Sequence, residues 1–481
     1  MVDYLAVFGF GDCKLRTMLQ APCSSSSRYW FIPFLLACVA MPGFAQPAAD
    51  SGWVDLTAGG LEQGWRQLGG AAEYVLDGDT IVGTAVIETP NSFLATTDEY
   101  GDFALQLEFK VDEGLNAGIQ IRSHSDPDYW NGVVHGYQVE IDPSERAWST
   151  GIYDEARRGW LFPLTLNPAA SQAFRQGDWN HVYIEAIGSE IRTWLNGVPA
   201  TYLIDEMTPS GFIALQVHSV GPEQGGLQVR YRNVRLRTDD LVPRGGEFPY
   251  VVDTRPNRLS EAEAALGWKL LFDGESTDAW RGAHREDFPA TGWKVRDGEL
   301  TVLASEPGGP RGGGIVTRET FSAFELQLEF RMTEGANSGI KYLVTEGYGE
   351  APGTAVAFEY QILDDMRHPD AEAGRDGNRT LASLYDLLPP TKQFRFVKGL
   401  GRYNHARIVV RADGTVEHWL NHQLVLAFDR NSAELKEAIA MSKFAGRDGF
   451  GEWPEGRILL QDHGDEVAFR GIKVRRLDGA E

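Results

Sequence analysis

From Phe103 to Val111 apolar residues alternate with Ala104, Gln106, Glu108 and Lys110, and from Phe324 to Met332 the same alternation runs with Glu325, Gln327, Glu329 and Arg331 between. A period of two with one apolar face predicts antiparallel strands whose polar set points outward. Alternating or apolar runs at 182–187, 213–217, 229–236, 406–410, 458–460 and 467–474 predict further strands. Asp77-Gly78, Asn196-Gly197, Asp297-Gly298 and Asp413-Gly414 predict hairpin turns between strands. Helix periodicity is confined to Glu261–Leu266, which Ser260 caps and Gly267 ends, and to a turn or two near 432–440.

The two alternating segments belong to a repeat. Phe103–Gln120 and Phe324–Lys341 agree at 11 of 18 positions, and the correspondence continues in order along the chain. Trp53 and Trp65 match Trp268 and Trp280, Tyr137-Gln138 matches Tyr360-Gln361, and Tyr153-Asp154 matches Tyr385-Asp386. Gln216 and His218 match Gln461 and His463. One unit therefore stands twice, at about 51–238 and 265–478, and the Pro- and Gly-rich stretch 239–264 with its short helix reads as a linker. Each copy is far longer than the roughly 20–50 residues of a solenoid repeat. Many short strands with Gly-rich turns make the fold class all-β, as two tandem two-sheet β-sandwiches or jelly rolls.

Composition narrows the function. With 45 Lys and Arg against 68 Asp and Glu, a net charge of −23, the chain lacks the cationic footprint of a nucleic-acid binder. Hydrophobic residues at 42% and charged residues at 23% fit a folded chain, and 481 residues are too many for one ordinary core. Arg28 precedes an apolar run over 29–40, and Gly43-Phe44-Ala45 follows with small residues where a signal peptidase cuts. Residues 1–45 are thus expected to be a signal peptide that directs the protein to the periplasm or outside the cell. The run is too short to span a bilayer, so no transmembrane segment is expected. Cys13, Cys23 and Cys38 all fall within this leader. A lipid anchor at Cys38 is the rival reading, and Leu35-Leu36-Ala37-Cys38 matches a lipoprotein box less well than the leader matches a cleaved signal.

No metal-ligand or phosphate-loop motif stands out. Polar residues on predicted strands remain. In copy one, Gln138, Glu140 and Asp142 share a face; in copy two, Glu359, Gln361 and Asp365 do. His218 and His463 recur at one strand position beside Gln216 and Gln461, and histidine titrates where proton transfer near neutrality needs it. Copy two adds Lys341, Tyr385, His418, Lys443 and Asp462. Copy one has Gln120 at the Lys341 position and adds Tyr153 and Arg157, while Trp130, Trp160 and Trp453 offer surfaces on which a sugar ring stacks. Such rows suit either acid–base chemistry or a solvated outer sheet face.

The segments Gly267–Gly274, Asn337–Lys341, Glu359–Asp365, His368-Pro369-Asp370, Ser383–Asp386, His418–Asn421 and Gln461–Asp465 resemble the 3-keto-disaccharide hydrolase domain family, a concanavalin-like jelly roll. Copy one is similar to a divergent member. The resemblance implies a small carbohydrate partner, a glycoside already oxidised to a ketone at C3. The ketone acidifies the C2 proton; a base removes it, the aglycone leaves C1 and water adds. The implied catalytic set is His463 as base or acid, Asp462 and Asp365 as its partners, and Lys341 and Glu359. Gln361, Tyr385, Lys443, His418 and Gln461 would hold the sugar, and the copy-one candidates are Gln138, Glu140, Asp142, Tyr153, Arg157 and His218. No organic cofactor is implied, and a divalent cation such as calcium among the carboxylates could do the electrostatic work at the enolate. The alternative is a pair of non-catalytic, lectin-like carbohydrate-binding modules, for which the same sandwich is suited.

Overall fold

The computed structural model describes residues 52–306, 309–347 and 353–477. The expected leader, with its three cysteines, lies outside them. Four antiparallel-dominated sheets make two sandwiches. Copy one has a nine-stranded and a seven-stranded sheet; copy two has an eight-stranded and a five-stranded sheet. The alternation in the two matched strands is what closes each sandwich. Leu105, Leu107 and Phe109 turn inward onto Ile119, Ile121 and Val139, and Leu326, Leu328 and Phe330 turn inward onto Ile340, Tyr342 and Tyr360.

Local signals hold. Asn196-Gly197 joins strands Glu190–Leu195 and Val198–Ile204, and Asp297-Gly298 joins Trp293–Arg296 and Glu299–Val302. Both residues of each pair have positive φ, as a two-residue turn of matching twist requires. The helix Glu261–Ala265 carries a capping box in which the Ser260 hydroxyl accepts from the Glu263 N–H and the Glu263 carboxylate accepts from the Ser260 N–H. The second expected helix forms at Ala433–Ala440.

The outer face of copy two's eight-stranded sheet departs from expectation. Glu325 and Gln327 do point away from the core, yet they are buried, at 1% and 4% exposure. What covers them is the segment read as a linker. Val252–Asp253 adds a parallel edge strand to Leu203–Ile204 of copy one, and Tyr250, Val251 and Val252 are buried. Gln327 donates to the Tyr250 hydroxyl at 2.5 Å, and the Tyr250 ring stands between Phe162 of copy one and the Arg407 guanidinium of copy two. Copy one also touches this face directly, since Thr165 donates to the His422 carbonyl at 2.8 Å and Lys398 donates to the Arg158 carbonyl at 2.5 Å. The described residues of both copies accordingly cluster as one compact unit.

A carboxylate in such a place needs cations. Glu325 accepts from Arg407 Nε at 2.5 Å and from Arg475 Nε at 2.8 Å. Burial pushes its pKa up, but the two guanidiniums outweigh burial and hold it below the usual carboxylate range. A depressed pKa means stability present above the unfolded value of about 4.3 and lost as pH falls through the folded one. Removing one partner of a buried pair costs about 3–5 kcal/mol. Arg407→Leu is therefore expected to lower the urea unfolding midpoint at pH 7 by that order and to lose much of its effect in acid; an unchanged midpoint at pH 7 would refute the role given to this pair.

Candidate active site

Copy two's five-stranded sheet runs Trp280–Gly282, Ile315–Thr317, Arg457–Leu460, Asn337–Val344, Phe358–Leu363. Register places Lys341 opposite Glu359 and Gly339 opposite Gln361, and the Gln461 N–H bonds to the Gly339 carbonyl on the other side. Cross-strand partners share a face, so Lys341, Glu359, Gln361 and Gln461 stand together on the outer surface of this sheet. Gly339 is required here. A Cβ on it would lie 2.1 Å from Glu359 Oε1, and without one the carboxylate leans over the glycine as Lys341 Nζ approaches Glu359 Oε2 at 3.6 Å.

Two buried amide oxygens flank this notch, Gln361 Oε1 and Gln461 Oε1, and neither has a hydrogen-bond partner. An orphaned buried acceptor costs about 1–3 kcal/mol, which a sugar hydroxyl entering the notch would relieve. Lys443 arrives from the turn after the second helix. Its ammonium lies 4.1 Å from the centre of the Tyr385 ring, and burial, ahead of its charged neighbours, pushes its pKa down. A closed ring of bonds fixes this lysine. The Lys443 N–H donates to Asp386, Arg379 donates to both Asp386 and Asp370, and the Tyr385 hydroxyl donates to Asp370, all at 2.7–2.8 Å.

His463 stands exposed at the rim of this surface. Partial burial pushes its pKa down and Arg311 adds to this, while Asp465 and Glu359 pull the other way. The imidazole is therefore neutral near pH 7 and able to accept a proton.

Three copy-two candidates belong elsewhere. His418 is fully buried between the two sheets, with Nε2 2.9 Å from the Tyr342 hydroxyl and Nδ1 3.0 Å from the Ala382 carbonyl, so it is a core residue. Asp365 pairs with Lys392 at 2.6 Å and accepts the Leu381 N–H at 2.7 Å, which clamps the 365–381 loop. Asp462 accepts the N–H groups of Gly313 and Gly464 at 2.9 and 3.0 Å. Both of its oxygens are used to shape the backbone around His463, with none given to the imidazole. Trp453 is likewise buried. Asn91 and Arg311, which reach the two faces from neighbouring loops, carry no pattern in the sequence that would have marked them.

Copy one shows the same face with its chemistry rearranged. Gly118 is opposite Glu140, and Gln120 opposite Gln138, so Glu140 occupies the place of Gln361 and Gln138 that of Glu359. The expected match of Tyr137-Gln138 with Tyr360-Gln361 is two residues out. Gln120 donates to Gln138 at 2.6 Å where copy two has its Lys–Glu pair, and Asn116 donates to Glu140 at 2.6 Å. Tyr153 sits beside Gln138 as Tyr385 sits beside Glu359. Asp142 is a turn residue, accepting from Ser144, Arg146 and the Trp148 N–H. Arg157 is held by Asp154 and Thr208, away from the face. His218 is half-buried, with Nδ1 2.7 Å from the Ser219 carbonyl.

Among the described residues no group of three or more His, Cys, Asp or Glu converges as a metal cage. Asp365 and Asp462 are committed to protein partners, and Glu359 faces lysine. The residues present do not fit a bound cation, and no step below is routed through one. No helix among the described residues is long and apolar enough to cross a membrane.

A jelly-roll sheet with a row of acid, amide and lysine side chains on its outer face, bordered by tyrosine and histidine, defines a carbohydrate-active β-sandwich protein of glycoside hydrolase type. The chain belongs to the 3-keto-alpha-glucoside-1,2-lyase-like domain family, which matches it twice, over residues 52–237 and 267–475. A 3-keto-disaccharide hydrolase of Bacteroides thetaiotaomicron is 36% identical over 236 residues, 44% of this chain and 80% of that protein. Two solved structures from Parabacteroides distasonis, both classed as candidate glycosyl hydrolases, are similar. One is 31% identical and covers 47% of this chain and 100% of its own, with a TM-score of 0.40. The other is 25% identical and covers 44% and 99%, with a TM-score of 0.33.

Glu155, at the edge of copy one's face, has its pKa pushed up to about 7 by burial and by Glu140 and Asp154, against the opposing hydrogen bond from Asn91. A raised carboxylate pKa means stability that is full below the unfolded value near 4.3 and declines as pH rises to about 7. Glu155→Gln is expected to raise the thermal unfolding midpoint at pH 8 and leave it unchanged at pH 4; a midpoint lowered equally at both would refute the assignment.

Proposed function

We propose that copy two cleaves 3-keto-glycosides by base-catalysed elimination followed by hydration. The observation that carries this reading is the convergence of Lys341 and Lys443 on Glu359 beneath a neutral His463, beside the unpartnered amide oxygens of Gln361 and Gln461. Elimination requires a base for the C2 proton and fixed positive charge for the oxyanion that develops on the C3 ketone. His463 takes the proton. Lys341 and Lys443 stabilise the enolate oxygen, and the ring of bonds through Asp386, Arg379 and Asp370 holds Lys443 in place before substrate arrives. Gln361 and Gln461 accept from sugar hydroxyls, and Tyr385 borders the ring. The aglycone then leaves C1 as an alkoxide, the oxygen of a water molecule adds to C1 while protonated His463 returns its proton to C2, and the proton shed by the water passes to the aglycone. The relative from Bacteroides thetaiotaomicron supports the substrate class, and the apolar run over 29–40 supports export from the cytoplasm.

Copy one carries Gln120 in place of Lys341 and an amide in place of Glu359, so its face lacks the lysine–glutamate pair, and Arg146, which approaches Glu140 at 3.7 Å, is held by Asp142. We assign it sugar binding without turnover.

Aglycone release from a chromogenic 3-keto-glucoside tests both assignments. His463→Ala is expected to reduce kcat by about 10²-fold or more with the circular dichroism spectrum unchanged, and His218→Ala to leave the rate as it was. In the intact protein kcat/KM should rise with pH to a plateau, with its midpoint below the ordinary histidine value of about 6.5, since the base acts only when deprotonated. A His463→Ala variant with the parent rate would remove that residue from the mechanism. Loss of rate in His218→Ala alone would move the activity to copy one.

A further inference from the structure

The junction between the copies holds a cavity of about 310 Å³ whose wall includes Arg158 and Trp160 of copy one and Lys398, Arg402, His405 and His422 of copy two. A second cavity of about 230 Å³ opens beside it, lined by Arg146, Tyr153, Arg395 and Phe396 among others. Trp160, Lys398 and Asn421 line both, so the two are neighbouring parts of one cleft. Neither includes any residue of the copy-two face described above. The combined space is within the roughly 300–1,000 Å³ of small-ligand sites.

Its charge is the reverse of the protein's. In a chain of net charge −23, six Arg and Lys line the cleft, and Glu329 is the one carboxylate among the described residues that does. Three of the cations are matched: Arg146 by Asp142, Arg158 by Asp154 and Asp205, and Arg470 by Glu329. The others form no ion pair among the described residues, and for Lys398 the charge of Asp154 offsets only part of the cost of burial. Lys398 donates to the Arg158 carbonyl, and Arg395 donates to the Gln393 amide while lying over the Phe396 ring. Burial, with Arg402 next, pushes the Lys398 pKa down, so this ammonium is held where its positive charge is disfavoured. Arg402 is exposed at the cleft.

Two further features suit a sugar. The rings of His405 and His422 lie 4.5 Å apart, and the Nδ1 atom of each is buried with no hydrogen-bond partner. Burial keeps both imidazoles neutral, so each unpartnered nitrogen can accept from, or donate to, a hydroxyl according to tautomer. Trp160 supplies an apolar wall. It packs edge-on against Trp148 and Tyr153, at 4.8 and 5.3 Å between centroids, which holds its ring in one orientation.

We propose that this cleft, which borders copy one's face at Tyr153, is a further saccharide site, selective for sugars that carry an anionic oxygen group, a uronate carboxylate or a sulfate ester. Lys398, Arg402 and Arg395 receive the anion, the two histidines meet ring hydroxyls, and Trp160 packs against the apolar face of the pyranose. The site stands independently of the catalytic reading of copy two.

Tryptophan fluorescence and calorimetric titration of the full chain with glucuronate, glucose 6-sulfate, glucose and sodium sulfate test it. Glucuronate or glucose 6-sulfate should bind and perturb the emission, with affinity falling as salt is raised, and whichever of the two binds more tightly identifies the natural anion. Arg402→Gln should weaken that binding by about tenfold, the loss of one charge-assisted contact, while leaving aglycone release from the 3-keto-glucoside unchanged. Trp160→Ala should weaken the sugars and leave sodium sulfate alone. Glucose binding as tightly as glucuronate would overturn the anionic preference. Sodium sulfate binding as tightly as either acidic sugar would reduce the cleft to an inorganic oxyanion site and overturn the saccharide assignment. No binding by either acidic sugar would overturn the proposal whole, whatever the activity of copy two.

Discussion

Glu325 lies on an outer sheet face and is 1% exposed, a position a carboxylate can hold only with cations in contact. Arg407 and Arg475 meet it, and this arrangement determines how the two copies are joined. The guanidinium of Arg407 is planar and is shared with the rings of Tyr250 and Trp419, 5.0 and 4.6 Å away. Tyr250 lies in the connecting segment, which also supplies an edge strand to copy one. A polar sheet face thereby becomes an interior, with the connection as its cover. Copy two's eight-stranded sheet is committed to this junction, and its five-stranded sheet is left to carry chemistry with loops of copy two alone. The same junction creates the cationic cleft, since copy one's strand Gly159–Phe162 meets the loop around Lys398 there.

The two faces carry two arrangements of side chains on one scaffold. Each has a glycine at the centre and two cross-strand pairs beside it. In copy two the pairs are Lys341 with Glu359 and Asn337 with Gln361; in copy one they are Gln120 with Gln138 and Asn116 with Glu140. Every pair remains complementary, which is the local requirement of a packed sheet surface. The carboxylate has moved from one pair to the other and lost its lysine. Two amides meet its hydrogen-bonding need, and Arg146 at 3.7 Å offsets only part of the cost of burying its charge. Burial consequently raises the pKa of Glu140 and, with Glu140 contributing, that of Glu155.

Much of this was legible in the sequence, because much of it is local. The Asn-Gly and Asp-Gly turns, the capping box and the strand parity concern residues within a few positions of one another, and the repeat emerges when two such stretches are compared. The shared Tyr-Gln dipeptide points two residues away from the structural match, which keeps the spacing of the preceding strand, 22 residues from Gly118 to Glu140 and 22 from Gly339 to Gln361. A slip of two keeps every side chain on its own face, so Glu140, Gln138, Glu359 and Gln361 were still placed on the correct surface. The burial of Glu325 was not legible, since its cover comes from Tyr250, far along the chain. Asp462 and His418 failed for a different reason. An aspartate two residues before Gly464 is poised to bond that glycine's N–H, and a histidine alternating with Val416 and Leu420 falls on the inward face; both signals were present and pointed to structure.

The distribution of cations follows from the acidity of the chain. With 45 basic against 68 acidic side chains, a solvated surface can carry its excess of carboxylates at little cost, but a buried carboxylate cannot remain unpaired. Cations are therefore drawn inward to wherever polar residues are enclosed, as at Glu325 and at Glu359. Lys341 and Lys443 have a structural reason to be where they are before any substrate is considered, and the same charge then serves an enolate. The junction cleft breaks this rule, for there Lys398, Arg402 and Arg395 outnumber the acids. Arg402 and Arg395 stand exposed there and Lys398 donates to a carbonyl, so none of the three forms an ion pair with a carboxylate among the described residues. Their presence is accounted for by an anion that arrives from outside.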